Sequence, residues 1–383
     1  MMDALTRRDV LSLALAAGAA GLLPRSLSAA EGDDARVDAL VKAQGISDDG
    51  PGVAIAVVLK GEVAFQKGYG LANVKERTPI AVHTQFDIAS ISKTFTATAI
   101  VRLFEKGKLK LTDDVREYVS ELPVYNRRRA ITIQNLLQQT SGLPDYLDLE
   151  NDPDVPRDYF TNIDYVRELA GLRDDYPLNF QPGSQYEYSN TNYLLLALVI
   201  ERVSGSSYAG YLQEQFFQPL ELTSTWVHDK PVAPPKHPKF GQVNALGYTK
   251  NDSGGYEVAW GSAPFRTEKM LAVGDGGAWS TLGDLAKWES AFRAGKVLNP
   301  MLMHWALSPS WTDDGSANDY GFGWELEHDV TGKLIDFGHG GEWGGFMSYC
   351  YHDVEPNRTI ILLSNRGDID LEALWDGLDG IFR

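Results

Sequence analysis

A single cysteine, Cys350, stands among 383 residues, so no internal disulfide can close even in an oxidising compartment. It lies in Phe346-Met-Ser-Tyr-Cys-Tyr351, whose alternation suggests a strand, and it reads as a small buried apolar residue. There is no His-Glu-x-x-His and no cysteine cluster, which argues against a metal site, and the reading calls for no cofactor. Gly-x-Ser-x-Gly is also absent, which argues against an α/β-hydrolase nucleophile elbow. Without a low-complexity tract or a repeat of fixed period, solenoids and arrays drop out. Basic residues are few: 35 Lys and Arg against 52 Asp and Glu give a formal charge of −17. Such a chain repels nucleic acid and anionic membrane surfaces. The acidity serves solubility and says nothing about substrate.

The apolar run Val10 to Leu23 is too short for a comfortable transmembrane span. Paired Arg7 and Arg8 precede it, and Ser28-Ala-Ala30 offers small residues at the positions a signal peptidase reads. Residues 1–30 are therefore expected to be a leader, in which twin arginines resemble a Tat export signal. A general secretory signal that happens to carry two arginines is the alternative. Either places the protein in the periplasm or outside the cell, with no stable membrane association once the leader is gone. Removing residues 1–30 deletes three arginines and two aspartates and leaves −18.

What remains, residues 31–383, is long enough for one large core or two closely packed subdomains. Val53 to Leu59 and Glu62 to Gln66 flank Lys60-Gly61, a hairpin signature. Ser90 opens an apolar helix to about Leu103, and residues 110 to 285 are mostly helical. Asn192 to Val203 is apolar nearly all round and should be buried, and Asp284 to Arg293 is closed by Gly295. Strands return at Leu334–Phe337, Phe346–Tyr351 and Thr359–Leu363, before an amphipathic helix over Asp368–Phe382. Strands at both ends with helices between imply a sheet built from both termini. The expected division is an α/β part, about 35–105 and 286–383, and a helical part, about 106–285, with the site in the cleft between them.

Three short motifs follow in order: Ser90-Ile-Ser-Lys93, Tyr188-Ser-Asn190 and His339-Gly-Gly341, and each occurs once. Serine three residues before lysine on a helix puts both side chains on one face. An alcohol needs such a neighbour to become a nucleophile, and burial lowers a lysine's pKa until its amine can accept a proton. Tyr188 beside an ammonium could exist partly as phenolate and handle the same proton. Asn190 can bond around Lys93 or to a substrate carbonyl, and His339 can bond Tyr188 or carry charge only when protonated. Bland alternatives stand beside each: Ser90 as a helix cap, Lys93 on the surface, Asn190 as a cap, and His339 in a turn near Asp336.

The set resembles the serine β-lactamase and penicillin-binding-protein superfamily. The His-Gly-Gly form is similar to its class C-related branch of esterases, D-amino-acid peptidases and carboxypeptidases. Phe86–Lys93, Leu136–Leu143, Gly274–Thr281 and Tyr320–Trp324 are further similar stretches, although Gln138 and Gln139 stand where Thr-His is usual. The resemblance implies an α/β (α+β) fold with an antiparallel central sheet and an inserted helical domain. By position it makes Ser90, Lys93 and Tyr188 catalytic. It gives Asn190, His339, Gly340, Gly341 and Glu342 to substrate, with the N–H groups of Ser90 and Glu342 as the oxyanion hole. An exported serine hydrolase working through acyl-Ser90 is therefore expected, on a small-molecule or short-peptide ester, amide or lactam. Esterase or D-amino-acid peptidase ranks above β-lactamase, because His339-Gly340 lacks the permanent charge and hydroxyl of the Lys-Thr pair that helps hold a β-lactam carboxylate. A receptor that binds peptidoglycan-like ligands or penicillin without turnover is the reading from another class.

Overall fold

The computed structural model describes residues 27–125, 129–149, 161–171, 178–230, 244–259 and 271–383. Most of the expected leader therefore lies outside the described residues. A first helix, α1 (Leu27–Ala43), already begins within its last residues.

Strand β1 (Val53–Leu59) has β-branched residues at four of its seven positions and is buried along nearly its whole length. It turns through Lys60 and Gly61, at φ 53° and 86°, into β2 (Glu62–Tyr69). Two consecutive positive φ values match the right-handed strand twist, and Gly61 adopts its value at no steric cost. The other strands come from the far end of the chain: β3 (Glu325–His328), β4 (Leu334–Trp343), β5 (Phe346–Asp353) and β6 (Arg358–Ser364). They join one six-stranded sheet in the order β3-β4-β5-β6-β1-β2, and every neighbouring pair is antiparallel. Val53 lies opposite Ser364 and Leu59 opposite Arg358, so the sheet is closed by its first and last segments.

Alternation splits the core in two. Val53, Ile55, Val57, Ile360 and Leu362 pack with α1 and with α5 (Leu371–Ile381) on one face. Ala54, Ala56, Ile361 and Leu363 face a larger cluster holding Phe95 of α2 (Ser92–Glu105) and Phe292 of α4 (Leu282–Arg293). Small alanines on that face let the helices approach. Against α2 packs α3 (Asn190–Ser204), buried from Thr191 to Ile200 and ended at Gly205, whose φ of 75° suits a helix C-terminus.

Two local expectations are corrected. The strand expected to stop at Phe337 continues to Trp343, so His339 is a strand residue rather than a turn residue. Glycines 338, 340 and 341 carry no side-chain pattern to read, and pairing with β5 holds them extended. Ser90 does not open the helix either. It sits in a 3₁₀ turn, Ala89–Ile91, and makes no capping bond, while α2 begins at Ser92.

Candidate active site

The turn carrying Ser90 is pinned from several sides. Ala89 adopts φ 45°, in a region L-residues avoid, and its N–H donates to Asp87 Oδ1 at 2.9 Å. Ile88 donates to the Ala278 carbonyl at 3.0 Å and accepts from Ser348 Oγ at 2.9 Å. Ser92 is turned away, accepting from the Ala278 N–H at 3.2 Å.

Lys93 has no solvent exposure, which removes the surface alternative. Its Nζ donates to Ser90 Oγ at 2.9 Å, Asn190 Oδ1 at 2.7 Å and the Asp275 carbonyl at 2.8 Å. Three partners satisfy the three ammonium protons. Burial brings the lysine pKa down to about 8, with Asp275, Asp145 and Glu325 pulling the other way. When the proton leaves, two N–H groups and one lone pair remain. Asn190 Oδ1 and the Asp275 carbonyl can only accept, so they keep both N–H groups and the lone pair faces Ser90.

Tyr188 closes another side. Lys93 Nζ lies 4.9 Å from its ring centroid, and Ser90 acts on its phenol, favouring the ionised form against the stronger effect of burial. The expected phenolate character does not fit this setting. Burial raises the Tyr188 pKa well above that of an ordinary tyrosine, so the resting group is a phenol.

Asn190 is the first residue of α3, preceded by Ser189 at the cap, and its side chain serves Lys93 rather than the helix end. His339 does not bond Tyr188. Its Nδ1 donates to the Gly340 carbonyl at 2.5 Å, its Nε2 meets the Tyr320 hydroxyl at 3.1 Å, and it is buried. Burial lowers its pKa and keeps the ring neutral at pH 7, so His339 backs the Tyr188–Tyr320 wall instead of offering charge to a ligand.

Beyond Gly338 the register of β3 ends, and β4 runs past the Ser90 turn on that edge. A Cβ at Gly341 would fall 2.6 Å from the Ile88 carbonyl and 2.9 Å from the Ser90 nitrogen, so only glycine allows this approach. Gly340 faces the other way, toward Tyr349 and Tyr351. Glu342 is also at the cleft, an open space of about 560 Å³ that it lines with Ser90, Asn190, Asp87 and Asp275.

Several of these groups were not singled out from the sequence. Asp145 accepts from both the main chain and the side chain of Asn190, each at 2.9 Å. Tyr146 donates to Asp275 Oδ2 at 2.8 Å. Asp275 lies in a stretch marked only as family-like, and Asp87 in the nucleophile segment itself. Neither residue type nor spacing distinguishes them from surface aspartates. Among the described residues, no group of three or more His, Cys, Asp or Glu could hold a metal ion.

The sequence model of the family described as Beta-lactamase matches residues 37–377. Penicillin-binding protein 4* of Bacillus subtilis (strain 168) is 30% identical over 322 residues, covering 80% of this chain and 66% of that protein. The chain spans 59–66% of the length of the first curated relatives it matches. Among solved structures, a penicillin-binding protein from Bacillus halodurans superposes with a TM-score of 0.75 at 26% identity, covering 90% of this chain and 99% of that one. A D-amino acid amidase from Ochrobactrum anthropi SV3 shares the fold, with a TM-score of 0.70 at 23% identity over 91% of this chain and 99% of the other.

Proposed function

The chain belongs to the Beta-lactamase family, and on that premise we propose that it is an exported serine hydrolase that passes through an acyl-Ser90 intermediate. The observation that carries this is the Lys93 geometry, in which two acceptor-only partners leave the lone pair on Ser90. With a pKa of about 8, roughly a tenth of Lys93 is free amine at pH 7. Ser90 Oγ attacks the substrate carbonyl as its proton passes to Lys93 Nζ. The Ser90 and Glu342 N–H groups receive the oxyanion. Collapse breaks the bond to the leaving group, which takes the proton through the Tyr188 hydroxyl. Water then attacks the acyl-serine as its proton passes to Lys93, and collapse expels Ser90 Oγ, which takes that proton back from Lys93 Nζ as the product acid is released.

An ester or a D-amino-acid amide or peptide is the favoured substrate class. His339 is buried and neutral and so offers no fixed positive charge, while Glu342 lines the cleft, an unfavourable setting for a β-lactam carboxylate. The fold shared with a D-amino acid amidase agrees with that ranking. Export rests on Arg7 and Arg8 ahead of the apolar run to Leu23. A second reading, a penicillin-binding receptor that stays acylated, takes its support from the penicillin-binding relative.

One set of measurements separates them. The wild type should hydrolyse a p-nitrophenyl ester with higher kcat/KM than benzylpenicillin, and Ser90→Ala should lose both turnover and fluorophosphonate labelling while staying folded. A persistent adduct in the intact-mass spectrum after ester exposure points to the receptor. Labelling of the alanine variant removes Ser90 as the nucleophile.

A further inference from the structure

Asp145 follows Gly142-Leu143-Pro144 and is largely buried, yet no basic side chain forms an ion pair with it among the described residues. Its bonds run elsewhere. Oδ1 accepts from the Leu147 N–H at 3.0 Å, and Oδ2 accepts from both the main-chain N–H and the Nδ2 of Asn190 at 2.9 Å. A carboxylate donates nothing, so the Asn190 amide must turn its NH₂ toward Asp145 and its oxygen toward Lys93.

We propose that Asp145 is a positioning residue for the hydrolase reaction, fixing the Asn190 amide so that its oxygen, not its nitrogen, meets Lys93. This rests on the reading of Ser90 and Lys93 given above. The consequence reaches the nucleophile in two steps. With the amide reversed, Asn190 Nδ2 would donate to the free amine of Lys93 and occupy the lone pair that Ser90 needs. The negative charge of Asp145 also favours the ammonium form of Lys93.

Other groups face Lys93 and remain when Asp145 is changed. Asp275 contributes both its carbonyl and its carboxylate charge, Glu325 a further negative charge, and Ser90 its hydroxyl. Tyr188 and Tyr193 lie 4.9 Å and 5.8 Å away, ring centroid to Nζ, and buried His339 senses the lysine charge. Asparagine in place of Asp145 cannot do the work of the carboxylate, because its NH₂ would confront either the Leu147 N–H or those of Asn190. Exchanging the two residues restores the side-chain pair alone: the amide, now on the Asp145 side, donates to the carboxylate on the Asn190 side, whose second oxygen accepts from Lys93, while the main-chain N–H of residue 190 loses its acceptor.

The test measures kcat and KM for a p-nitrophenyl ester from pH 5 to 10 in the wild type, Asp145→Asn, Asn190→Asp and the exchanged pair. Absence of wild-type turnover would strike the hydrolase reading itself, separately from the role of Asp145. Asp145→Asn should lower the high-pH plateau of kcat/KM about 100-fold, mainly through kcat. Its acid limb, near pH 8 in the wild type, should move to lower pH because a negative charge beside Lys93 is gone. Asn190→Asp, which sets two carboxylates together, should be worse than the exchanged pair. A residue that merely supported the fold would lower the plateau without moving the limb. If Asp145→Asn proves unstable, the exchanged pair decides. An exchanged pair no more active than Asn190→Asp overturns the proposal, as does Asp145→Asn with a wild-type plateau and an unmoved limb.

Discussion

Asp87 shows how far one side chain can depart from its ordinary chemistry. Burial pushes its pKa up to about 7, the charge of Asp275 adds to the rise, and the Ala89 N–H opposes it. In the unfolded chain the same carboxyl titrates near 3.9. Between those values the folded state holds a proton that the unfolded state releases, so stability falls as pH rises from about 4 through 7. Asp87→Asn keeps an oxygen for the Ala89 N–H and removes the carboxylate. Its melting temperature should exceed the wild type's at pH 8 and converge with it toward pH 4, by thermal melts in matched buffers. An equal gain at every pH, or a loss at pH 8, would show that the ionised carboxylate is not the cost. Ser90 and Lys93 could be read from the chain because three residues of spacing carry them to one face. Asp87, Asp145 and Asp275 could not, since only tertiary packing turns an ordinary aspartate into a buried one.

Elements were legible where a local rule set them. Lys60-Gly61 announced the β1–β2 turn, and the apolar run after Asn190 announced a buried helix. The strand that passes the nucleophile was not legible beyond Phe337, because glycines hide the alternation on which strand reading depends. Those same glycines make the approach possible. In Gly341→Ala the new methyl must displace either β4 or the Ser90 turn, so kcat/KM should fall about 10- to 100-fold and the melting temperature should drop as well. Gly340→Ala should cost far less, since its methyl meets ring atoms at 3.2 Å and beyond. Ester kinetics on both variants check the contrast. Equal losses would mean that the distance between strand and turn is not what the glycine protects.

Across the whole molecule, a sheet assembled from both termini was readable from the distribution of strands, while its antiparallel character came only with the family resemblance. Strand order was not, because pattern does not say which edge meets which. Among the described residues, no helix is long and apolar enough to cross a membrane. The proposed export turns on Arg7 and Arg8, and Arg7→Lys with Arg8→Lys keeps the charge while removing the guanidinium pair that a Tat receptor reads. Precursor of that variant should accumulate in the cytoplasm on cell fractionation. Normal export would leave a general secretory signal as the better account.

The pairing of Val53 with Ser364 also sets a clock. A ribosome releases Ser90, Lys93 and Tyr188 long before it reaches β4 and β6. Until then β1 lacks its partner, and no strand stands beside the Ser90 turn to complete the cleft. Every reactive group is present on the nascent chain, yet they do not form a site. On the proposed mechanism a stalled or prematurely ended product should therefore be inert, and turnover should begin only once the last strand has been threaded into place.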